Sequence, residues 1–155
     1  MKGLLVAIFI SPTAGEIPHE VRTARALAGK GLEGDRYAQG NGTFSKNAGQ
    51  RDVTLIESEA LELFARETDH RLEAASTRRN LLTRGIRLND LVGQEFVVGR
   101  IPMRGLRLCE PCAHLARVTS APVFPGLIRR GGLYAQILED GELAVGDVIS
   151  VSAPA

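Results

Sequence analysis

Cysteine is scarce in this chain: Cys109 and Cys112 are its only two thiols among 155 residues. Two cysteines three positions apart make a poor disulfide framework, and a bacterial-type cytosol would keep them reduced. No apolar run approaches the roughly 18 residues that a membrane-spanning helix needs. The run from Leu4 to Ile10 is followed by Ser11-Pro12 rather than by a small-residue cleavage site, so it reads as a strand and not as a signal peptide. The net charge is only +1, which gives no field-based argument for nucleic acid or an anionic membrane as a partner. A cytoplasmic protein that acts on a small molecule is the expectation. The chain also lacks internal repeats, low-complexity tracts, a P-loop, a Ser–His–Asp arrangement and any paired-carboxylate motif. Lysine is rare as well. Lys2, Lys30 and Lys46 are the only lysines among 19 basic residues, and the arginines that make up the rest suit bidentate recognition of phosphate or carboxylate.

At this length one domain is expected, able to bury about two-thirds of its unfolded surface. What is present is a series of short apolar runs separated by glycine-rich turns. Strands are predicted at Gly3–Ile10, at Val21–Ala28 (weakly), and at Val53–Ile56, Asn80–Leu82, Phe96–Val98, Ile101–Leu108, Leu133–Leu138 and Val148–Val151. Ala60, Leu61, Phe64 and Ala65 fall at helical spacing within 57–66, with Ser58 as the expected cap. A second short helix is expected over Pro111–Val118. Residues 34–50, rich in Gly and Asn, form the longest irregular stretch, and such a loop in a small domain is commonly functional. Long helices do not alternate with the strands, which argues against a doubly wound parallel sheet. Many short strands with glycine turns argue for a mostly β barrel or sandwich.

Three clusters could carry chemistry. In Cys109-Glu110-Pro111-Cys112 a strand runs into a helix whose first position suits Pro111. Cys112 would then lie in the first turn, where N–H groups and the helix dipole favour a thiolate, which is both a metal ligand and a nucleophile. A structural zinc site would need four ligands, and the cysteine pair with His114 is one short. A thioredoxin-like site would belong at the start of a βαβ unit. Either cysteine could equally be a small buried hydrophobe, Cys109 above all. The second cluster is Arg78-Arg79-Asn80, before a strand. Alternation along an extended chain would put Arg78 and Asn80 on one face, able to grip one oxyanion, with Arg79 on the other. The third consists of glycine loops that let a backbone approach an anion: Gly31-Leu32-Glu33-Gly34-Asp35-Arg36 and Arg129-Arg130-Gly131-Gly132. Each also reads as a plain turn.

The order of these pieces is more specific than any one of them. Gly34-Asp35-Arg36, Arg51-Asp52-Val53-Thr54-Leu55-Ile56, Arg79-Asn80-Leu81, Gly85-Ile86, Leu91-Val92-Gly93, Cys109-Glu110-Pro111-Cys112, Arg130-Gly131-Gly132 and Gly146-Asp147 together resemble a MOSC domain over about residues 5–151. That domain occurs at the C-terminus of molybdenum-cofactor sulfurases and in stand-alone bacterial proteins. The resemblance implies a MOSC-type β-barrel with a few short helices. It implies molybdenum-cofactor (molybdopterin) binding, with Cys112 as metal ligand and catalytic sulfur, Arg78 and Asn80 on the pterin phosphate and Arg79 adjacent. Gly34, Asp35, Arg130 and Gly131 would line the pocket. The implied activity is reduction of N-hydroxylated compounds with electrons from a separate reductase. The alternative is a sulfur carrier that takes persulfide sulfur from a cysteine desulfurase. The pyridoxal-phosphate domain of the sulfurases is not found in the sequence, so pyridoxal phosphate would enter only through a partner. Cys109 leaves open a relay between the two thiols.

Overall fold

In the computed structural model the described residues are 2–12, 18–35, 52–69, 73–109 and 131–151. They form eleven strands and one α-helix: β1 Lys2–Ile10, β2 His19–Val21, β3 Thr23–Leu27, β4 Gly31–Leu32, β5 Val53–Glu57, α1 Ser58–Thr68, β6 Leu81–Arg84, β7 Glu95–Val98, β8 Ile101–Leu108, β9 Leu133–Ile137, β10 Gly141–Ala144 and β11 Val148–Val151. Short 3₁₀ turns lie at Ala74–Thr77 and Leu88–Leu91.

Seven of the strands close on themselves in the order β1, β11, β7, β8, β9, β5, β6 and back to β1, with β2 added beside β1. Closure joins the first strand to the last: Lys2, Gly3 and Leu4 pair with Ser150, Ile149 and Val148. Every ladder in the barrel is antiparallel except β5–β6. The parallel pair follows from the sequence between them, because α1 carries the chain back to the starting end as a crossover. A second sheet, β10-β3-β4, stands beside the barrel.

The side-chain pattern explains the barrel. Along β1, Leu5 is buried while its neighbours Leu4 and Val6 face outward, and β9 alternates in the same way with Leu133, Ala135 and Ile137 inward. These residues join Ile8, Leu55, Leu81, Phe96, Val98, Met103 and Ile149 in one continuous core. The β5 strand is buried on both faces. Val53 and Leu55 point into the barrel, and Ile56 is buried together with Ala60 and Phe64 of the covering helix.

The weak strand expected over 21–28 divides at Arg22, because β2 pairs with β1 whereas β3 pairs with β4 and β10. Ser58 is not the helix cap. Glu57 holds that position in extended conformation without a side-chain cap bond, and Ser58 begins the helix and accepts a hydrogen bond from Arg84 at 3.0 Å. The helix expected over Pro111–Val118 lies outside the described residues. Among those residues no helix is long and apolar enough to cross a membrane.

Candidate functional site

Arg78, Arg79 and Asn80 follow the 3₁₀ turn and lead into β6, and all three are buried at 8%, 9% and 3% exposure. Buried guanidinium groups are uncommon, because desolvating a charge is expensive without compensating partners. The turn determines how they are presented. Thr77 Oγ1 donates to the Ala74 carbonyl at 2.7 Å, and the Arg78 amide donates to the Ala75 carbonyl at 3.2 Å. Arg78 thereby adopts left-handed φ of 64°, a conformation that costs a non-glycine residue on the order of 1 kcal/mol. The simple alternation expected across 78–80 fails here, since Arg78 is not extended. The three side chains have different neighbours.

Asn80 fastens strands to one another. Its Oδ1 accepts hydrogen bonds from the Thr54 amide at 3.0 Å and Thr54 Oγ1 at 3.1 Å, and its Nδ2 donates to the Phe9 carbonyl at 3.2 Å. The Asn80 carbonyl in turn accepts from the Phe9 amide at 2.7 Å. One amide side chain thus ties β1, β5 and β6 together. Arg79 reaches further along the chain. Its Nε donates to the Gly131 carbonyl at 2.8 Å, Nη2 to the Cys109 carbonyl at 3.3 Å and Nη1 to the Thr77 carbonyl at 3.3 Å.

Cys109 is buried at 1% exposure, and its amide donates to the Gly132 carbonyl at 2.7 Å. Gly132 has φ of 114°, and a Cβ there would collide with the Leu55 carbonyl; only glycine brings the start of β9 this close to β5. Asp35, 1% exposed, follows Gly34 (φ 87°) and accepts the Ser11 amide on Oδ1 at 2.7 Å. Ser11 lies just beyond Phe9, the partner of Asn80. The structure therefore ties Asp35 to Ser11 just past β1, Asn80 to Phe9 within β1 and Arg79 to Cys109 and Gly131, with Arg78 next to Arg79 in the chain. Cys112 and Arg130 lie outside the described residues, as do His70 and His114. His19, read from sequence as part of a polar loop, lies in β2 opposite Ile10.

Sequence reasoning missed the supporting hydroxyls Thr54, Ser11 and Thr77. Thr54 offered a signal, being the one polar residue inside the apolar run Val53–Ile56. Nothing marked the other two.

Two carboxylates nearby in the chain are displaced upward from their ordinary pKa range. Burial does this for Asp52, against the opposing hydrogen bonds from the Ile137 and Gly29 amides. Burial also does it for Glu57, opposed by the Leu88 amide and aided by repulsion from Glu59. Asp52 Oδ2 accepts the Ile137 amide at 2.8 Å and so pins β9. Among the described residues no group of three or more His, Cys, Asp and Glu side chains could hold a metal ion. Buried arginine beside glycine turns suits an anionic organic group, and a metal carried within such a group needs few ligands from the protein. Of Arg78, Arg79 and Asn80, Arg78 is the one whose guanidinium would suit the phosphate-bearing part of a cofactor.

Comparison with known proteins places this arrangement. The family model for the MOSC domain matches residues 31–150. The YuaD protein from Bacillus subtilis is similar in structure with a TM-score of 0.84 at 15% identity, over 100% of this chain and 98% of that one. YiiM from Geobacillus stearothermophilus matches with a TM-score of 0.74 at 14% identity, over 97% of this chain and 75% of its own. YiiM from Escherichia coli gives 0.70 at 16% identity, over 100% and 71%. These likenesses are of fold. No curated protein matches the sequence.

Proposed function

The chain belongs to the MOSC domain family, which is related to the C-terminal domains of molybdenum-cofactor sulfurases, and on that premise we propose that it binds the molybdenum cofactor and reduces N-hydroxylated small molecules. The observation that supports this reading is the burial of two adjacent arginines, Arg78 and Arg79, at the approach to β6. Arg78 holds the cofactor's phosphate. A guanidinium presents paired N–H donors to two oxygens of one phosphate, and such charge-assisted bonds are about twice as strong as neutral ones. Burial lowers the local dielectric and strengthens the contact further. Asn80 contributes by fixing where β6 begins, since its own amide is committed to Thr54 and Phe9. Gly34, Asp35, Arg130 and Gly131 line the same site.

Cys112 supplies the thiolate for the metal. When bound, the cofactor supplies two-electron redox chemistry at molybdenum. The electrons come from a separate reductase, because no residue pattern here suggests a flavin, haem or iron–sulfur site. A sulfur-carrier reading would have to rest on Cys112 alone: Cys109 is buried at 1% exposure, where a partner desulfurase has no access to its thiol.

The test is molybdenum by plasma mass spectrometry, with pterin fluorescence, on protein co-expressed with an intact cofactor pathway. Near-stoichiometric metal and pterin are expected in the wild type and neither in Cys112→Ser. Arg78→Met should weaken retention roughly tenfold to a hundredfold, the range expected for a lost hydrogen bond to a charged group. Wild-type protein without metal or pterin would overturn the reading. A one-sulfur mass increase on Cys112 after incubation with a cysteine desulfurase would then establish the carrier instead.

A further inference from the structure

Adjacent arginines in a candidate phosphate site invite the same assignment, but the hydrogen bonds separate them. A guanidinium can grip two oxygens of one anion with its Nε–Nη2 edge or with its Nη1–Nη2 edge. On Arg79 the Nε–Nη2 edge holds two backbone carbonyls, of Gly131 and Cys109, and Nη1 holds a third, of Thr77. The three acceptors are 52, 30 and 2 residues away in sequence. Two of them, Cys109 and Gly131, are the residues that immediately flank positions 110–130, the stretch that contains Cys112. The Cys109 amide donating to the Gly132 carbonyl at 2.7 Å joins the same two flanks a second time.

We propose that Arg79 is a positioning residue and not an anion ligand: it clasps Cys109 and Gly131, the two residues that bound positions 110–130, to the approach of β6. Its meaning for catalysis rests on the function proposed above. The geometry itself and its test do not, because neither requires a cofactor.

The discriminating substitution is Arg79→Lys. Lysine keeps the positive charge, so the substitution isolates the loss of the fork. It lacks the planar fork, so it cannot hold three carbonyls at once. Amide hydrogen exchange on the full chain reads the clasp. In R79K the Cys109 amide should exchange roughly tenfold faster or more, the consequence of losing charge-assisted bonds in a local opening. The Leu5 amide, bonded to the Asp147 carbonyl at 2.9 Å across the barrel closure, should be unchanged. The pH profile of Cys112 alkylation by iodoacetamide should move away from that of the wild type in the same variant.

Unchanged exchange at Cys109 overturns the clasp. Equal acceleration at Cys109 and Leu5 makes Arg79 a general stabiliser and also overturns it. Faster exchange at Cys109 with an unmoved alkylation profile overturns the positioning role. If R79K does not fold, the wild type decides in sub-denaturing urea. The Cys109 amide must open in a smaller event, with weaker urea dependence than Leu5. Equal dependence would overturn the proposal.

Discussion

Asp52 shows how one buried carboxylate can make this barrel sensitive to pH. Its side chain accepts the Ile137 amide at 2.8 Å, and burial raises its pKa above the ordinary aspartate range. A group that binds its proton more tightly when folded gives stability that declines as pH rises from the unfolded pKa through the folded one. Asp52→Asn keeps an oxygen acceptor for Ile137 but cannot ionise. Relative to this variant the wild type should therefore lose stability as pH rises above about 4, where unfolded aspartate ionises while the buried carboxyl still holds its proton. Urea midpoints measured for both proteins across that range check the sign; a gap that does not change with pH would remove Asp52 as the cause. At the same scale, alternation along the chain separates Arg79 from Arg78, but it does not say what either side chain holds. That depends on the left-handed turn at Arg78 and on which carbonyls come within reach of Arg79.

At the scale of the element, α1 is closed by a poorly chosen residue. Asp69 adopts φ of 56° and its amide donates back to the Ala65 carbonyl, a position where glycine carries no Cβ penalty. Its negative charge also meets the negative end of the helix dipole. Asp69→Gly relieves a left-handed cost of about 1–2 kcal/mol against about 0.4–1 kcal/mol of added unfolded-chain entropy, so it should stabilise the protein modestly, read as a higher urea midpoint at constant slope. The strands were more legible than the helix ends. Ile101–Leu108 and Val148–Val151 match the structure end to end, because alternation of buried and exposed residues is a strong local signal. Gly141–Ala144 is not among the strands expected from sequence, yet it forms strand β10. Its strand character comes from pairing with β3, a partner more than a hundred residues away that no local window contains.

For the whole molecule, closure decides stability. Ile149 is fully buried on the strand that joins the two ends of the described chain, opposite Gly3 on one side and Val98 on the other. Ile149→Ala removes core volume at the seam and should cost about 2–5 kcal/mol. Far-UV circular dichroism and near-UV signals should lose midpoint together, as expected of one cooperative unit. A variant that lost only one signal would show that the seam opens independently of the rest. Pairing of first and last strands is also a long-range contact, so folding in milliseconds to seconds is expected for this topology.

By itself the sequence determined the class of the fold and the family. Short alternating runs and glycine turns specify a strand-rich barrel, and the ordered motifs from Gly34-Asp35 to Gly146-Asp147 identify a MOSC domain, because both are properties of residue order. It also marked Arg78, Arg79 and Asn80 as residues of interest. Only the tertiary structure showed what Asn80 and Arg79 hold. Asn80 became a strap because Thr54 and Phe9 sit on its neighbouring strands. Arg79 became a clasp because β8 and β9 bring the Cys109 and Gly131 carbonyls to its guanidinium. Hydrogen bonds between residues 30 and 52 positions apart exist only once the barrel has closed, and no pattern in the linear chain encodes which donor reaches which acceptor.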